Sequence, residues 1–380
     1  MLSESKMKRI DLLKKAKEGR ENPELGEKMV NDAKEVDRIS YGGNLDKTID
    51  NCIAKYSSSS LTKEQRLLLK NDVWKSRILN LVDPDEYFLY GFQELDENER
   101  YKFVGNREKE SLCALINEKS VSDIFMDKWE TYQHFKKFYG RDVMHITSAH
   151  DKNDFVNYVE ENKKVLVKNA RESQGRGIFK TINSKESIAE SWTEIEKILD
   201  RGGSVVVEQF LSQASEMSGF NPSSVNTVRI ATFRKSDEVK VMFTFARFGR
   251  KGSIVDNGGC GGVIVPIDKN TGNFNSLGRD ENGVCYQFHP DSKIRFDNFI
   301  IPEWNSALEL AIKLSGIVPQ QLYVGWDLAY TENGWIMIEG NSWSQFIGPQ
   351  VTLKQGMRDE IENTFYNYIN ELLRNEGIVL

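Results

Sequence analysis

The sequence predicts an α+β protein in which a mostly helical region precedes two mixed subdomains. Residues 1–120 repeat apolar side chains at helical spacing, whereas short β-rich runs alternate with helical segments beyond them. Glycines and polar turns separate these later runs. A chain of 380 residues is also long enough for two or three domains. We therefore expect a helical region at 1–120, one subdomain at 121–210 and a second at 211–380.

The composition limits the class of protein. Hydrophobic residues make up 39% and charged residues 28% of the chain, which allows a sizeable core and argues against bulk disorder. The net charge of -6 argues against a general nucleic-acid or membrane-surface binder, because such proteins need a basic excess. We find neither an apolar signal segment nor an apolar run of the ~18 residues that a membrane span needs. The four cysteines form no CxxC pair, so we interpret them as reduced thiols and expect a cytoplasmic protein.

The N-terminal region contains one clear helix start. Thr62 and Gln65 form a predicted capping box. Apolar residues follow it at roughly helical spacing, namely residues 67–69, Trp74, Ile78 and Leu79. Because no residue here carries evident chemistry, we interpret the region as a scaffold or docking domain; a part in substrate recognition is the alternative.

Beyond residue 120, apolar runs and the residues that end them define the elements. The predicted strands are 143–147, 164–168, 205–209, 226–234, 239–248, 263–267, 322–330 and 335–339. The predicted helices are 127–139, 151–161, 184–199 and 357–373. Strands that alternate with helices in this way are typical of α+β and α/β proteins.

An acidic hairpin near the C-terminus is the most informative segment. Residues 332–334, Glu-Asn-Gly, predict a three-residue loop in which the glycine is left-handed. That loop pairs Asp327 with Glu339 and places Asn341 on the same exposed face. The opposite face is then a core face, with Trp326, Leu328, Tyr330, Ile336 and Ile338. A two-residue loop would instead put the two carboxylates on opposite faces.

The acidic face predicts a magnesium site. Carboxylate and amide oxygens are hard ligands that suit Mg²⁺, which commonly takes its remaining ligands from water and phosphates. Like charges that face each other across a bare hairpin repel, so a bound cation would explain the pair of Asp327 and Glu339. The alternative is that both are ordinary solvent-facing residues.

Two segments suit a nucleotide. The chain lacks the GxxxxGK[ST] sequence of a P-loop, but a strand ends at Lys168 and a loop with Ser173, Gly175 and Gly177 follows. The glycines allow backbone N–H groups to approach phosphates closely, and the lysine supplies a point charge. The apolar strand 205–209 and its polar exit suit adenine and ribose. Taken singly, the first segment is also consistent with a flexible hairpin and the second with a core strand.

The order of these pieces resembles the ATP-grasp superfamily from residue 126 to the C-terminus. The resemblance implies an ATP-grasp fold of two α+β subdomains that clasp ATP. It implies ATP contacts for Lys128, Lys168, Ser173, Gly175, Gly177, Glu208, Gln209, Phe210, Leu211 and Glu216. The spacing of Glu216 is similar to that of the ribose-binding carboxylate in the D-alanine–D-alanine ligase branch, but is one residue longer. It implies magnesium ligation by Asp327, Glu339 and Asn341.

Within that superfamily, residues 223–230 and 255–268 look like the sugar-transfer-associated ATP-grasp group. The resemblance links the chain to polysaccharide or cell-envelope biosynthesis. Two departures stand out. The D-alanine–D-alanine ligase branch has an arginine where this chain has Gly325, so we expect the charge from Arg229, with Arg247 and Arg250 as weaker candidates. The usual N-terminal βαβ domain is also not evident.

The resemblance implies a ligase that forms ADP and uses ATP and Mg²⁺. A small-molecule carboxylate would become an acyl phosphate, and an amine would displace the phosphate. Arg229 and Lys168 would be the catalytic residues: Arg229 would hold the transferring group, and Lys168, with Lys128, would neutralise the α- and β-phosphates. A structural ion pair is the alternative for Arg229. Arg141 is open as an anion-binding or a surface residue. We expect no nucleic-acid partner.

Two other functions stay open. The first is a kinase on the same fold that phosphorylates a sugar or polyol hydroxyl. The second is a regulatory subunit that binds nucleotide without turnover, although its need for an intact metal site would be unexplained.

Overall fold

The computed structural model describes residues 2–57, 61–172, 177–256, 261–274 and 276–380, which form two compact units. Unit 1 comprises Met1–Asn117 and Gln345–Leu380, and unit 2 comprises Glu118–Ser344. The last segment of the chain therefore groups with the N-terminal helices. The three-part division at residues 120 and 210 stays a prediction.

The helices of unit 1 confirm the predicted helical region. They are α1 (Glu4–Glu21), α2 (Pro23–Ser40), α3 (Asn44–Tyr56), α4 (Lys63–Leu79), α5 (Pro84–Leu89), α6 (Glu97–Tyr101) and α7 (Asn106–Ile116). The capping box at the start of α4 is present, because the Gln65 backbone N–H donates to Thr62 Oγ1 (3.2 Å) and the Thr62 N–H donates to Gln65 Oε1 (2.9 Å). Val73 and Trp74 of this helix are buried in the core of the unit.

Unit 2 contains two antiparallel sheets with helices before and between their strands. In chain order its elements are α8 (Lys119–Met126), α9 (Lys128–Phe135), β1 (Val143–Ile146), α10 (Lys152–Asn162), β2 (Lys164–Asn169), β3 (Ile178–Ile182), α11 (Lys185–Leu199), β4 (Val205–Gln209), α12 (Ser215–Ser218), β5 (Thr227–Lys235), β6 (Glu238–Phe248), β7 (Val263–Pro266), β8 (Gly278–Arg279), β9 (Cys285–Tyr286), α13 (Trp304–Ser315), β10 (Tyr323–Thr331) and β11 (Gly334–Asn341). The chain continues in unit 1 with α14 (Ile347–Leu353), α15 (Arg358–Ile361) and α16 (Asn367–Leu373).

The smaller sheet has four strands in the order β1-β4-β2-β3. Alternate side chains of its strands, among them Val165, Val167, Val205 and Val207, share a core with α10 and α11. The larger sheet has seven strands in the order β11-β10-β5-β6-β7-β8-β9. Its core includes residues of α8, α9 and α13, so each sheet buries one face under helices.

Most predicted strands and helices are confirmed, with bounds that differ by a few residues. The sequence analysis did not predict the helices α8, α12, α13 and α14, the strand β3 or the two-residue strands β8 and β9. The predicted helix 357–373 is interrupted, because a π-helical turn at Glu362–Tyr366 lies between α15 and α16. Among the described residues, no helix is long and apolar enough to cross a membrane.

A buried ion pair fixes the last segment of the chain inside unit 1. Arg358 donates to both carboxylate oxygens of Glu108, with one N–O distance of 2.9 Å, and the Tyr366 hydroxyl donates to the same carboxylate at 2.6 Å. Both charged side chains are almost fully buried, so loss of one partner would leave an uncompensated charge. This pairing explains why 345–380 groups with the N-terminal helices.

Candidate functional site

The acidic hairpin of β10 and β11 has a different loop from the predicted one. Thr331 pairs with Gly334, so the loop has two residues, and the prediction of a three-residue loop is wrong. Asp327 nevertheless pairs with Glu339, because the register shifts by one residue between Asp327 and Leu328. The bulge restores the shared face that a regular two-residue hairpin would have lost.

The same bulge changes which side chains of β11 enter the core. Trp326 and Leu328 are buried as predicted, but Met337 lies opposite Leu328 and is fully buried. Ile336 and Ile338 are only partly buried, so their assignment to the core face is wrong. One residue inserted in a strand moves every residue between it and the loop to the other face.

Asp327 lies inside the protein and not on an exposed face, which corrects the sequence analysis. Its side chain is 0% exposed. Arg229 donates to both of its oxygens, with Nη2 2.8 Å from Oδ2, and Arg247 Nη2 lies 2.6 Å from Oδ2. Burial alone would raise the pKa of this carboxyl, but the two guanidinium groups hold the pKa of Asp327 below its usual range.

The space above Gly325 explains the missing arginine at that position. A Cβ atom on Gly325 would lie 2.2 Å from Ser344 Oγ and 2.9 Å from Arg229 Cδ. Arg229 comes from the neighbouring strand β5, directly opposite Asp327, and its Nη1 donates to Ser344 Oγ (2.9 Å). A guanidinium from β5 therefore occupies the room that a side chain at Gly325 would need.

Replacing Gly325 with alanine is expected to destabilise the protein by about 1–3 kcal/mol, the usual cost of overpacking. The new methyl group would collide with Ser344 and Arg229. Chemical denaturation would measure the free energy of unfolding. The matched control is Gly316→Ala, where the nearest atom to a Cβ lies at 3.4 Å. Equal stability of the Gly325 variant and the wild type would contradict the steric explanation.

A second guanidinium joins the site from strand β6. Arg247 Nε donates to Thr227 Oγ1 (3.1 Å) and lies 3.6 Å from Asp256 Oδ2, while the Thr227 N–H donates to Asp256 Oδ2 (2.9 Å). Burial lowers the pKa of Arg247, whereas the charges of Asp256 and Asp327 raise it. The net effect is a raised pKa. The sequence analysis missed Thr227, Asp256 and Ser344, since only the strand register brings them together.

Of the three arginines predicted to supply the missing charge, Arg229 and Arg247 lie beside Asp327 and Arg250 does not. Arg229 donates from Nε and both terminal nitrogens to Asp327 and Ser344, which favours the structural ion pair. Its predicted catalytic role stays a prediction. Arg250 lies apart from these residues, beside Asp280 (3.6 Å) and the Tyr286 hydroxyl (3.3 Å).

Glu339 and Asn341 complete the acidic hairpin. Asn341 Nδ2 lies 3.2 Å from Glu339 Oε1 and 3.3 Å from Asp327 Oδ2. Burial and the neighbouring charge of Asp327 raise the pKa of Glu339, so a bound cation would relieve both effects. Within the described residues no three His, Cys, Asp or Glu side chains form a metal cluster. Two carboxylates and an amide still fit Mg²⁺, which keeps waters and takes phosphate oxygens.

Lys168 ends β2 in an ion pair with a buried glutamate. Its Nζ lies 2.7 Å from Glu208 Oε1, and Arg141 Nε donates to Glu208 Oε2 (2.8 Å). Burial opposes the charge on Glu208, but Arg141 and Lys168 together lower its pKa to about 2. Lys168 therefore lies in a charged environment, and its contact with a phosphate stays a prediction.

Lys128 lies close to both groups. Asp127 caps α9 through bonds from the Trp129 and Glu130 N–H groups, and the Lys128 ammonium donates to the carbonyls of Asn169 (3.0 Å) and Glu172. Burial lowers its pKa; the charge of Glu339 raises it, and that of Lys168 lowers it further. Asn169 follows Lys168 in β2, and Arg141 connects the Glu208 partner of Lys168 to the Met337 carbonyl of β11, so these contacts bring both lysines and the acidic hairpin into one region of unit 2.

The remaining predicted ATP residues that the structure describes lie at or after the ends of β2 and β4 along the chain. Phe210 and Leu211 line a pocket of about 230 Å³, together with Ser212, Gln213, Ser218, Pro222, Ser224 and Val225. Gln209 and Glu216 are exposed, and the Ser215 hydroxyl donates to the Glu216 carboxylate (3.2 Å). Gly177 has φ +65°, and its carbonyl accepts from the Asn169 N–H. Ser173 and Gly175 lie outside the described residues, and all these assignments stay predictions.

The sequence matches a family described as sugar-transfer associated ATP-grasp over residues 107–365, which is more than half of the chain. The match confirms the resemblance inferred from motif order. A search of curated proteins gives no match.

Several solved structures resemble the chain at low identity. D-alanyl-alanine synthetase A from Vibrio cholerae shares 12% identity over 67% of this chain and 68% of that chain, with a TM-score of 0.45. The VanG D-Ala:D-Ser ligase from Enterococcus faecalis shares 15% over 66% and 64%, with a TM-score of 0.41. The D-alanine–D-alanine ligase from Bacillus anthracis complexed with ATP shares 12% over 67% and 71%, with a TM-score of 0.40. At such identities their substrates are not transferred to this chain.

Proposed function

The chain belongs to the sugar-transfer associated ATP-grasp family, and on that premise we propose that it is a Mg-ATP-dependent ligase that joins a carboxylate to an amine. The products besides the amide would be ADP and inorganic phosphate. The substrates would be small molecules, with an amino acid or amine attached to a sugar acid or to another amino acid. The reaction would belong to polysaccharide or cell-envelope biosynthesis in the cytoplasm.

One observation carries this proposal: two lysines and a pair of carboxylates share one site in unit 2. Lys168 is 8% exposed, and its ammonium lies 2.7 Å from a carboxylate oxygen of Glu208. The Lys128 ammonium donates to the carbonyl of Asn169, which follows Lys168, and Arg141 connects Glu208 to the Met337 carbonyl of the acidic hairpin. Cations for phosphate oxygens beside oxygen ligands for a metal are the groups that phosphoryl transfer requires.

In the proposed site Lys168 exchanges Glu208 for a phosphate oxygen, and Lys128 adds a second positive charge. Asp327, Glu339 and Asn341 would hold Mg²⁺, and the bound ion would neutralise negative charge on the phosphates. Arg229 and Arg247 keep Asp327 ionised and fixed, because both donate to its carboxylate. The pocket at Phe210 and Leu211 suits the adenine ring.

The chemistry needs no nucleophile from the protein. A carboxylate oxygen of the acid attacks the γ-phosphorus, the bond to the β-phosphate oxygen breaks, and ADP leaves. The amine then attacks the acyl carbon, phosphate leaves, and the amine loses a proton. Positioning and charge neutralisation account for rate enhancement in such reactions.

Phosphorus NMR with pooled substrates tests the proposal. The purified protein is incubated with Mg-ATP, a pool of amino acids and a panel of sugar acids. We expect ADP and free phosphate that depend on both an acid and an amine. ADP with a new phosphate ester and no free phosphate would instead identify a kinase, and nucleotide binding without turnover would favour a regulatory subunit.

Replacing Lys168 with alanine is expected to weaken ATP binding by about one to three orders of magnitude, or ~1.5–4 kcal/mol, because a charge-assisted bond to phosphate is lost. Calorimetric titration of the protein with a non-hydrolysable ATP analogue would measure the change. Lys180→Ala on the neighbouring strand β3 is the matched control, since that lysine is exposed. Unchanged affinity of the Lys168 variant would remove this lysine from the nucleotide site.

A further inference from the structure

The bulge in β11 decides the geometry of the acidic hairpin. Leu328 pairs with Met337 and Asp327 pairs with Glu339, so Ile338 is the additional residue. Without it, Glu339 would face away from Asp327. A bulge disrupts the ladder and leaves backbone groups that need other partners. The feature that holds the bulge therefore also holds Glu339 in place.

Arg141 supplies those partners. Its Nη1 donates to the Met337 carbonyl (2.9 Å), and its Nη2 lies 3.4 Å from the Ile338 carbonyl. Nη1 also donates to the carbonyl of Tyr139 (2.9 Å), beside the left-handed Gly140 that turns the chain here. The guanidinium thus contacts the backbone on both sides of the bulged peptide, and Arg141 is only 8% exposed.

The other edge of Arg141 reaches the nucleotide side of the site. Nε and Nη2 lie 2.8 and 2.7 Å from Glu208 Oε2, while Lys168 contacts Oε1 of the same carboxylate at 2.7 Å. One buried arginine therefore joins the carboxylate that holds Lys168, on the smaller sheet, to the bulge that orients Glu339, on the larger sheet.

These contacts argue against both interpretations of Arg141 that the sequence left open. A surface arginine would be exposed, and an anion-binding arginine would have free donors that face a cleft. Arg141 is buried, and its three guanidinium nitrogens all donate to protein oxygens. The planar fork of a guanidinium can make these bonds at once, whereas a lysine ammonium cannot.

We propose that Arg141 is a positioning residue that holds the bulge of β11, and with it Glu339, in register with the lysine of the nucleotide site. This role rests on the proposed function, because it concerns the magnesium ligand of that site. Loss of the Arg141 guanidinium should loosen residues 336–341 and weaken Mg²⁺ binding more than ATP binding.

The test uses Arg141→Lys and Arg141→Gln in the full chain. For both variants we expect a Mg²⁺ half-saturation of ATP turnover at least about tenfold above the wild type, since loss of supporting contacts costs metal sites 10- to 100-fold. We expect a smaller change in the KM for ATP in Arg141→Lys, which keeps a positive charge near Glu208. The control is Arg234→Gln, which removes a mostly buried arginine of β5 outside the site.

Two readouts do not depend on turnover. Amide hydrogen exchange at 336–341 should quicken in both Arg141 variants, and Mn²⁺ binding in the presence of ADP, followed by electron paramagnetic resonance, should weaken. A fall in unfolding free energy with unchanged exchange at 336–341 and unchanged Mn²⁺ affinity would overturn the positioning role. Absence of Mg-ATP turnover in the wild type would count against the proposed ligase. Hydrogen exchange at 336–341 and Mn²⁺ binding would still decide the role of Arg141.

Discussion

Replacing Glu339 with glutamine is expected to reduce Mg-ATP turnover by about a hundred- to a thousand-fold, the usual effect of losing one preorganised electrostatic group. The change removes a metal ligand's charge but keeps its shape. Stability should stay equal or rise, because the burial and the Asp327 charge that raise the pKa of Glu339 both disfavour its ionised form. Initial rates at saturating ATP and the free energy of unfolding would measure the two effects.

The matched control for this variant is Glu332→Gln in the loop of the same hairpin. Glu332 is exposed, and it lies two residues beyond Tyr330, which packs against the core. The substitution should therefore change neither the turnover nor the free energy of unfolding. A Glu339→Gln enzyme with wild-type turnover at low Mg²⁺ would remove the magnesium assignment from the hairpin.

Replacing Asp327 with asparagine is expected to destabilise the protein by about 3–5 kcal/mol, because removing one partner of a buried ion pair leaves an uncompensated charge. Here two guanidinium groups, of Arg229 and Arg247, would lose their shared carboxylate. Turnover should also fall. Denaturant titration would measure the loss of unfolding free energy, and circular dichroism would establish whether the variant folds.

Asp237→Asn provides the comparison for that stability loss. Asp237 faces Arg234 at 3.5 Å, but its side chain is fully exposed, so its ion pair should contribute about 0–1 kcal/mol. The structure thus separates the two acids of the hairpin: Glu339→Gln tests the metal, and Asp327→Asn tests the buried network. An Asp327→Asn variant as stable as the wild type would contradict that network.

The sequence predicted the features that depend on local pattern and order. The capping box of α4 and most of the longer strands of unit 2 follow from capping residues and periodicity. The order of weak motifs was more informative than any one of them, because several were also consistent with ordinary core strands or flexible loops.

The features that the sequence analysis missed depend on long-range register. No local signal shows that β10 and β11 contain a bulge, since a two-residue loop with a bulge and a regular three-residue loop both oppose the same two acids. The correct pairing therefore came with a wrong loop and a wrong face for Ile336 and Ile338.

Buried charge networks were the second difficulty. Arg229 was expected as the substitute for the arginine missing at Gly325, but the sequence could not show that it fills the space above that glycine. Arg141 appeared as one basic residue among several after Gly140. Its role became visible only when β1, β4 and β11 brought a carboxylate and two carbonyls to its guanidinium.

The most direct test of the central claim follows an oxygen atom. The protein is incubated with Mg-ATP, an amine pool and a pool of acids whose carboxylates carry ¹⁸O, and the released phosphate is analysed by mass. An acyl phosphate forms through a carboxylate oxygen that leaves with the phosphate, so we predict one ¹⁸O atom in each phosphate. Phosphate without ¹⁸O would show that no carboxylate attacks ATP and would contradict the ligase.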